Sequence, residues 1–101
     1  MNLYEKAPEV DEDLRAIISY TAERWGANQV RKYMLGLESH LELMAVGMAH
    51  TRSLDHVLEG LKVARYERHF VFGIERVGEP LLILAVFHEK MSVIELLKKR
   101  L

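Results

Sequence analysis

The sequence predicts an α+β fold: a small antiparallel β-sheet with a helical hairpin packed on one face, in the order β-α-α-β-β-β-α. Three observations lead there. Residues 10–25 and 30–48 each carry apolar side chains at spacings of three and four, the period of an amphipathic helix. The break between them is only two or three residues, so the two helices must fold back on each other. The C-terminal half instead alternates, then turns continuously apolar, which reads as strand.

The elements follow in order. Leu3-Tyr4-Glu5-Lys6 is a short first strand. Ala7-Pro8-Glu9 opens the first helix, where the missing N–H of Pro8 costs nothing. Glu9, Asp11, Glu12 and Asp13 suit the positive end of the helix dipole. The apolar face is Val10, Leu14, Ile17, Ile18, Thr21 and Trp25. Gly26 ends the helix in the left-handed conformation, and Asn28 caps the second. That helix presents Val30, Tyr33, Met34, Leu37, Leu41, Met44 and Met48, with the methionines as core filling. Residues 49–60 form an irregular connection.

Strands are predicted over 61–66, 68–76 and 81–87. In the middle one, Phe70, Phe72 and Ile74 face one side and His69, Val71, Gly73 and Glu75 the other. Val77-Gly78-Glu79-Pro80 is a turn, and the last strand is a central one covered on both faces. Ser92-Val93-Ile94-Glu95 has the pattern of a capping box and starts a C-terminal helix.

Composition bounds the function. With 101 residues the chain is expected to be one domain, 1–101. The absence of cysteine excludes disulfides, thiolate metal sites and cysteine nucleophiles. No apolar run approaches the ~20 residues of a membrane helix, and the N-terminus lacks a secretory core, so no membrane and a cytoplasmic location are expected. Net charge is −1, unevenly spread: residues 1–25 carry −3 and residues 61–101 carry +3. This is not the strongly basic character of a chain that lives on nucleic acid.

Several segments resemble the RelE/ParE toxin superfamily, and more specifically its ParE branch. Pro8-Glu9-Val10-Asp11-Glu12-Asp13-Leu14 is similar to the family's acidic opening. Tyr20-Thr21-Ala22-Glu23-Arg24-Trp25-Gly26, with Gln29 and Tyr33, resembles the ParE helix junction. Glu59-Gly60-Leu61-Lys62 and His69-Phe70-Val71-Phe72 are similar to its strand entries. Ile83-Leu84-Ala85-Val86-Phe87-His88-Glu89-Lys90-Met91 resembles its last strand. The chain departs from the pattern at Gly73, where a Tyr is usual, at Met48-Ala49-His50-Thr51, where Pro and Gly are common, and at Lys62 and Val63, where Arg is usual.

The resemblance implies the toxin of a type II toxin–antitoxin system, a growth-arresting bacterial protein that inhibits DNA gyrase by contact rather than turnover. It implies a ParD-like antitoxin, through which alone the complex would meet DNA, and no cofactor. Two alternatives stay open: a RelE-like, ribosome-dependent mRNA endonuclease, and a degenerate member that keeps only antitoxin binding.

A metal-free ribonuclease needs a base, cations for the phosphorane and an acid. Lys62, Arg65, Tyr66, Arg68 and His88, with His69, have suitable chemistry. Strand alternation, however, sets Arg65 and Val63 opposite Lys62, Ala64 and Tyr66, and Glu67 lies among the cations. No Tyr follows position 66, unlike the C-terminal Tyr of RelE. For target binding, the charged candidates are Arg65, Arg68, His88, Lys90, Lys98 and Arg100. For the antitoxin, the candidates are the apolar Trp25, Leu35, Leu43 and Val46, although the helical spacing of Trp25 reads as core, with an edge anchor for a partner as the alternative. His88 is read as a structural tie between the last strand and the last helix, or as an interface donor. His69 is read as solvated or cross-strand. His40, His50 and His56 have no carboxylate at a ligand spacing, so no metal is expected.

Overall fold

In the computed structural model, which describes residues 3–101, the helix opened by Pro8 is α1 (Pro8–Trp25) and follows strand β1 (Tyr4–Lys6). Helix α2 (Ala27–Ala45) begins one residue later. The break is therefore shorter than the sequence suggests, and Gly26, not Asn28, precedes α2. Gly26 combines φ 86° with ψ 173°, a region open essentially to glycine alone. It differs from the left-handed helical conformation expected there, and it reverses the chain within a single residue.

The sheet is built from β1, β2 (Thr51–Ser53), β3 (Leu61–Tyr66), β4 (His69–Ile74) and β5 (Leu81–His88), and helix α3 (Val93–Arg100) closes the chain. Its order is β1-β5-β4-β3-β2. Strands β2 to β5 pair antiparallel, and β1 adds a parallel pair at the β5 edge. The α+β class and the element order stand as predicted. The one addition is β2, three residues within the segment expected to be irregular.

The core lies on both faces of the sheet. Under the helical hairpin, Val10, Ile17, Leu37, Leu41 and Met44 meet Ala64, Val71, Leu81, Ile83 and Val86. Under α3, Leu97 meets Leu61, Val63, Phe72, Leu84, Ala85 and Phe87. β5 is thus covered on both sides, as its continuous apolar run implies. Three helix positions depart from expectation. Ile18 and Trp25 are exposed, Trp25 at 69%, while Ile17 and Thr21 carry the buried face of this part of α1. Met48 is exposed because α2 stops at Ala45 and the chain turns at Gly47. Ser92 precedes α3 but makes no side-chain cap; Leu96 N–H bonds the Ser92 carbonyl instead.

β5 contains a bulge. Phe72 pairs with Ala85 and Gly73 with Ile83, so Leu84 is the extra residue. Its effect is a change of parity: Leu81 and Ile83 face the hairpin, Leu84 and Ala85 both face α3, and Val86 faces the hairpin again. β1 covers β5 only from Leu81 to Ile83. Beyond it, the Asp13 carboxylate accepts the Val86 N–H at 3.0 Å, and the Arg100 guanidinium donates to the Leu84 carbonyl at 3.2 Å. The two side chains pair with each other at 2.7 and 3.0 Å, and Arg100 lies over the Phe87 ring at 4.9 Å. One ion pair therefore stands where a further strand would, and it joins α1, β5 and α3. Asp13 is 9% exposed and Arg100 18%, so this pair does more than answer the helix dipole.

Asp13→Ala leaves the Val86 N–H without its partner and the Arg100 guanidinium with only the Leu84 carbonyl. Removing one member of a largely buried pair costs about 3–5 kcal/mol. Urea denaturation should show a lowered midpoint at unchanged slope, and the same substitution should cost much less in an Arg100→Met background.

Candidate functional site

The two-residue turn Glu67-Arg68, with Glu67 at φ 51°, places Tyr66 of β3 directly opposite His69 of β4. His69 in turn pairs with His88 of β5. Three strands so contribute Tyr66, His69 and His88 to one row at the end of the sheet, on the hairpin side. The helices roof it. Tyr33 of α2 hydrogen-bonds His69 Nδ1 and stands edge-on to Tyr66, with ring centroids 5.1 Å apart. Tyr66 Oη donates to the Tyr33 carbonyl at 3.3 Å, and Tyr20 of α1 faces His88 at 6.3 Å. The His69 and His88 rings are 5.1 Å apart.

This packing fixes protonation. Burial, reinforced by His88, lowers the His69 pKa to about 4 against a smaller upward pull from Glu89. Burial, then the neighbouring Tyr66 and Glu67, raises that of Tyr33 well above the usual phenol value. Tyr33 therefore remains a phenol and donates to a neutral His69 imidazole at Nδ1. His88 Nδ1 accepts the Lys90 N–H at 3.1 Å.

Two adjoining recesses of about 350 Å³ each open between the hairpin and the row. One runs along β5 and is mainly apolar, with Ala16, Ile17, Phe87 and Met91 in its walls. The other is polar and reaches from Trp25, Gln29 and Lys32 to Tyr66, Glu67 and Arg68. Tyr20, Thr21, His69 and His88 line both.

The sequence candidates separate in space. Arg68, His88 and Lys90 come together with Arg65 at this end of the sheet, where the Glu89 N–H bonds the Arg68 carbonyl. Glu89 also pairs with Arg65 and, at 3.0 Å, with Arg68. Burial would raise the Glu89 pKa, but the Arg68 hydrogen bond and both positive charges outweigh it and hold the carboxyl below its ordinary value. Arg65 points to the α3 side, over Phe70, as alternation predicts. Lys62 lies towards the other end of β3, bonded to Glu75 at 2.7 Å and to the Met44 carbonyl. Lys98 is on the last turn of α3, and Arg100 is held in the pair with Asp13. Leu35, Leu43 and Val46 are exposed along α2 and its end, well separated in sequence from exposed Trp25.

His69 is 8% exposed, so of its two sequence readings the cross-strand one holds and the solvated one does not. His88 is tied by its ring to the Lys90 backbone at the β5 end, rather than to the Ser92 helix itself. His40 packs on Tyr66, and its buried Nε2 has no hydrogen-bond partner among the described residues. Among the described residues, no group of three or more His, Cys, Asp or Glu is placed to hold a metal ion, and no helix is long and apolar enough to cross a membrane.

The sequence reading missed Tyr20, Gln29, Lys32 and Gly36 as site residues. Gly36 is the one that carried a signal, a glycine inside a strongly periodic helix. A β-carbon there would collide with the Tyr66 hydroxyl, so Gly36 makes the room in which Tyr66 reaches the Tyr33 carbonyl.

Two comparisons bear on these residues. A family model described as "ParE toxin of type II toxin-antitoxin system, parDE" matches residues 4–93. A protein named Toxin ParE, from Escherichia coli, is 40% identical over 101 residues, covering 100% of this chain and 98% of that protein.

Two predictions follow from the geometry. Because the folded His69 pKa lies below the unfolded value, the unfolded chain takes up a proton first as pH falls. The stability that neutral His69 contributes is complete above about pH 6.5 and is lost as pH drops towards about 4, with a slope of at most about 1.4 kcal/mol per pH unit. His69→Gln should flatten that part of a Tm-against-pH curve. Gly36→Ala gains helix propensity of about 1 kcal/mol but drives the Tyr66 ring away from Tyr33. A lowered Tm with a changed near-ultraviolet tyrosine signal is the expected outcome; a raised Tm with an unchanged signal would show that the row tolerates the methyl group.

Proposed function

The chain belongs to the ParE toxin family of type II toxin–antitoxin systems, and on that premise we propose that it arrests growth in the bacterial cytoplasm by binding and inhibiting DNA gyrase, so blocking replication. The observation that carries this reading over ribonuclease activity is the dispersal of the cations that such a nuclease would use. Lys62 is engaged with Glu75, Arg65 faces away from Tyr66, and Arg65 and Arg68 share Glu89. A phosphorane needs cations aimed at one point, whereas a protein contact needs only a complementary surface of mixed charge. Arg65, Arg68, His88 and Lys90 offer such a surface at the end of the sheet.

A toxin of this class works with a cognate antitoxin. We take the partner to be ParD-like, with a segment that orders on the toxin and covers the exposed apolar side chains Leu35 and Leu43 of α2 and Val46 just after it. DNA contact by the complex then comes from the antitoxin, in keeping with the toxin's net charge of −1.

Tightly controlled expression in bacteria, with labelled thymidine and labelled leucine followed side by side, tests the proposal. DNA synthesis should stop first, cells should become filamentous, and the purified protein should inhibit supercoiling by gyrase. Early arrest of leucine incorporation with thymidine uptake intact would instead point to messenger cleavage, and soluble protein that stops neither would mark a disarmed toxin.

A further inference from the structure

We infer that the polar recess at the hairpin turn is the toxin's grip on its target, and that it takes an acidic protein segment carrying an apolar or aromatic side chain. Trp25 is the anchor, and Lys32 and Arg68 are the cations. The inference rests on the reading above, in which the toxin acts by protein contact.

Trp25 is the single tryptophan of the chain and is 69% exposed, on a turn fixed by Gly26. Tyr20, half exposed beside it, carries Arg24 over its ring at 4.9 Å. Large aromatic side chains held on rigid backbone are the type that dominates binding energy when a partner buries them. The floor behind Trp25 is preorganised, since Tyr33, Tyr66 and His69 hold one another by hydrogen bonds.

The charge selects the occupant. Lys32 has no ion pair among the described residues, and Arg68 stays 73% exposed although it touches Glu89. Glu67 is the one carboxylate in this lining, and the adjoining recess carries Lys90 together with Asp13, whose charge is answered by Arg100. The lining itself therefore holds two cations against one carboxylate, on a protein of net charge −1. Two cations sharing a lining with one carboxylate are too few to follow a phosphate backbone but enough for one or two acidic side chains beside an apolar anchor. Leu43 and Val46 lie at the far end of α2, so that part of the antitoxin patch and this recess can be separated by mutation.

Trp25→Ala, Trp25→Phe and Lys32→Glu/Arg68→Glu would be compared with the unmodified protein for growth arrest in cells, gyrase inhibition and co-purification with the antitoxin. Trp25→Ala and the charge reversal should weaken target inhibition about thirty-fold or more, the loss expected of a hot-spot side chain. They should relieve growth arrest yet keep the Tm and antitoxin capture, and Trp25→Phe should retain much of the activity. Trp25→Ala that arrests growth as fully as the unmodified chain would overturn the inference. If the unmodified chain arrests growth without touching supercoiling, and Trp25→Ala still relieves that arrest, gyrase is the wrong target and the anchor stands. A chain that never arrests growth overturns both. Binding of labelled single-stranded RNA that disappears in Trp25→Ala would replace the acidic protein segment by nucleic acid.

Discussion

The Asp13–Arg100 pair is the contact on which the rest of the molecule depends. β1 leaves β5 unaccompanied after Ile83. The backbone groups left there without a strand neighbour have to find other partners. Asp13 takes the Val86 N–H and Arg100 the Leu84 carbonyl, so an element near the start of the chain and the last helical residue meet on one stretch of strand. Both cores, one under the hairpin and one under α3, are aligned by that junction.

The junction also fixes the site. It grips β5 at the bulge, where Leu84 and Ala85 turn to the same face. If the same residues alternated regularly from Ile83 onward, with no bulge, His88 would fall on the α3 side. With it, His88 stands beside His69 and completes the row begun by Tyr66. A packing feature deep in the sheet thereby decides which side chains reach the surface between hairpin and strands.

What emerges at that surface is a rigid polar floor with an exposed aromatic rim. Its cations are divided between ion pairs and opposite faces rather than gathered on one point. Such an arrangement suits recognition of a protein surface better than stabilisation of a transition state. The neutral His69 and its Tyr33 donor then act as a scaffold for the rim.

The sequence by itself determined the fold class, the element order and most of the core. Helical and strand periods are local properties, and Val10, Ile17, Leu37, Leu41, Val71 and Phe72 follow them faithfully. The resemblance to ParE was legible for the same reason, in short segments that keep their order. Only the tertiary structure decided the rest. The continuous apolar run of β5 hides its parity, because every residue suits either face, so the bulge and the position of His88 left no mark. Helical spacing places Trp25 with the core, yet in the folded chain it is 69% exposed. Asp13 looked like one more acid at a helix start because its partner, Arg100, lies at the opposite end of the chain. Periodicity reports what a residue needs from its neighbours along the chain, while burial, pairing and exposure are settled by elements that meet only when the chain has folded.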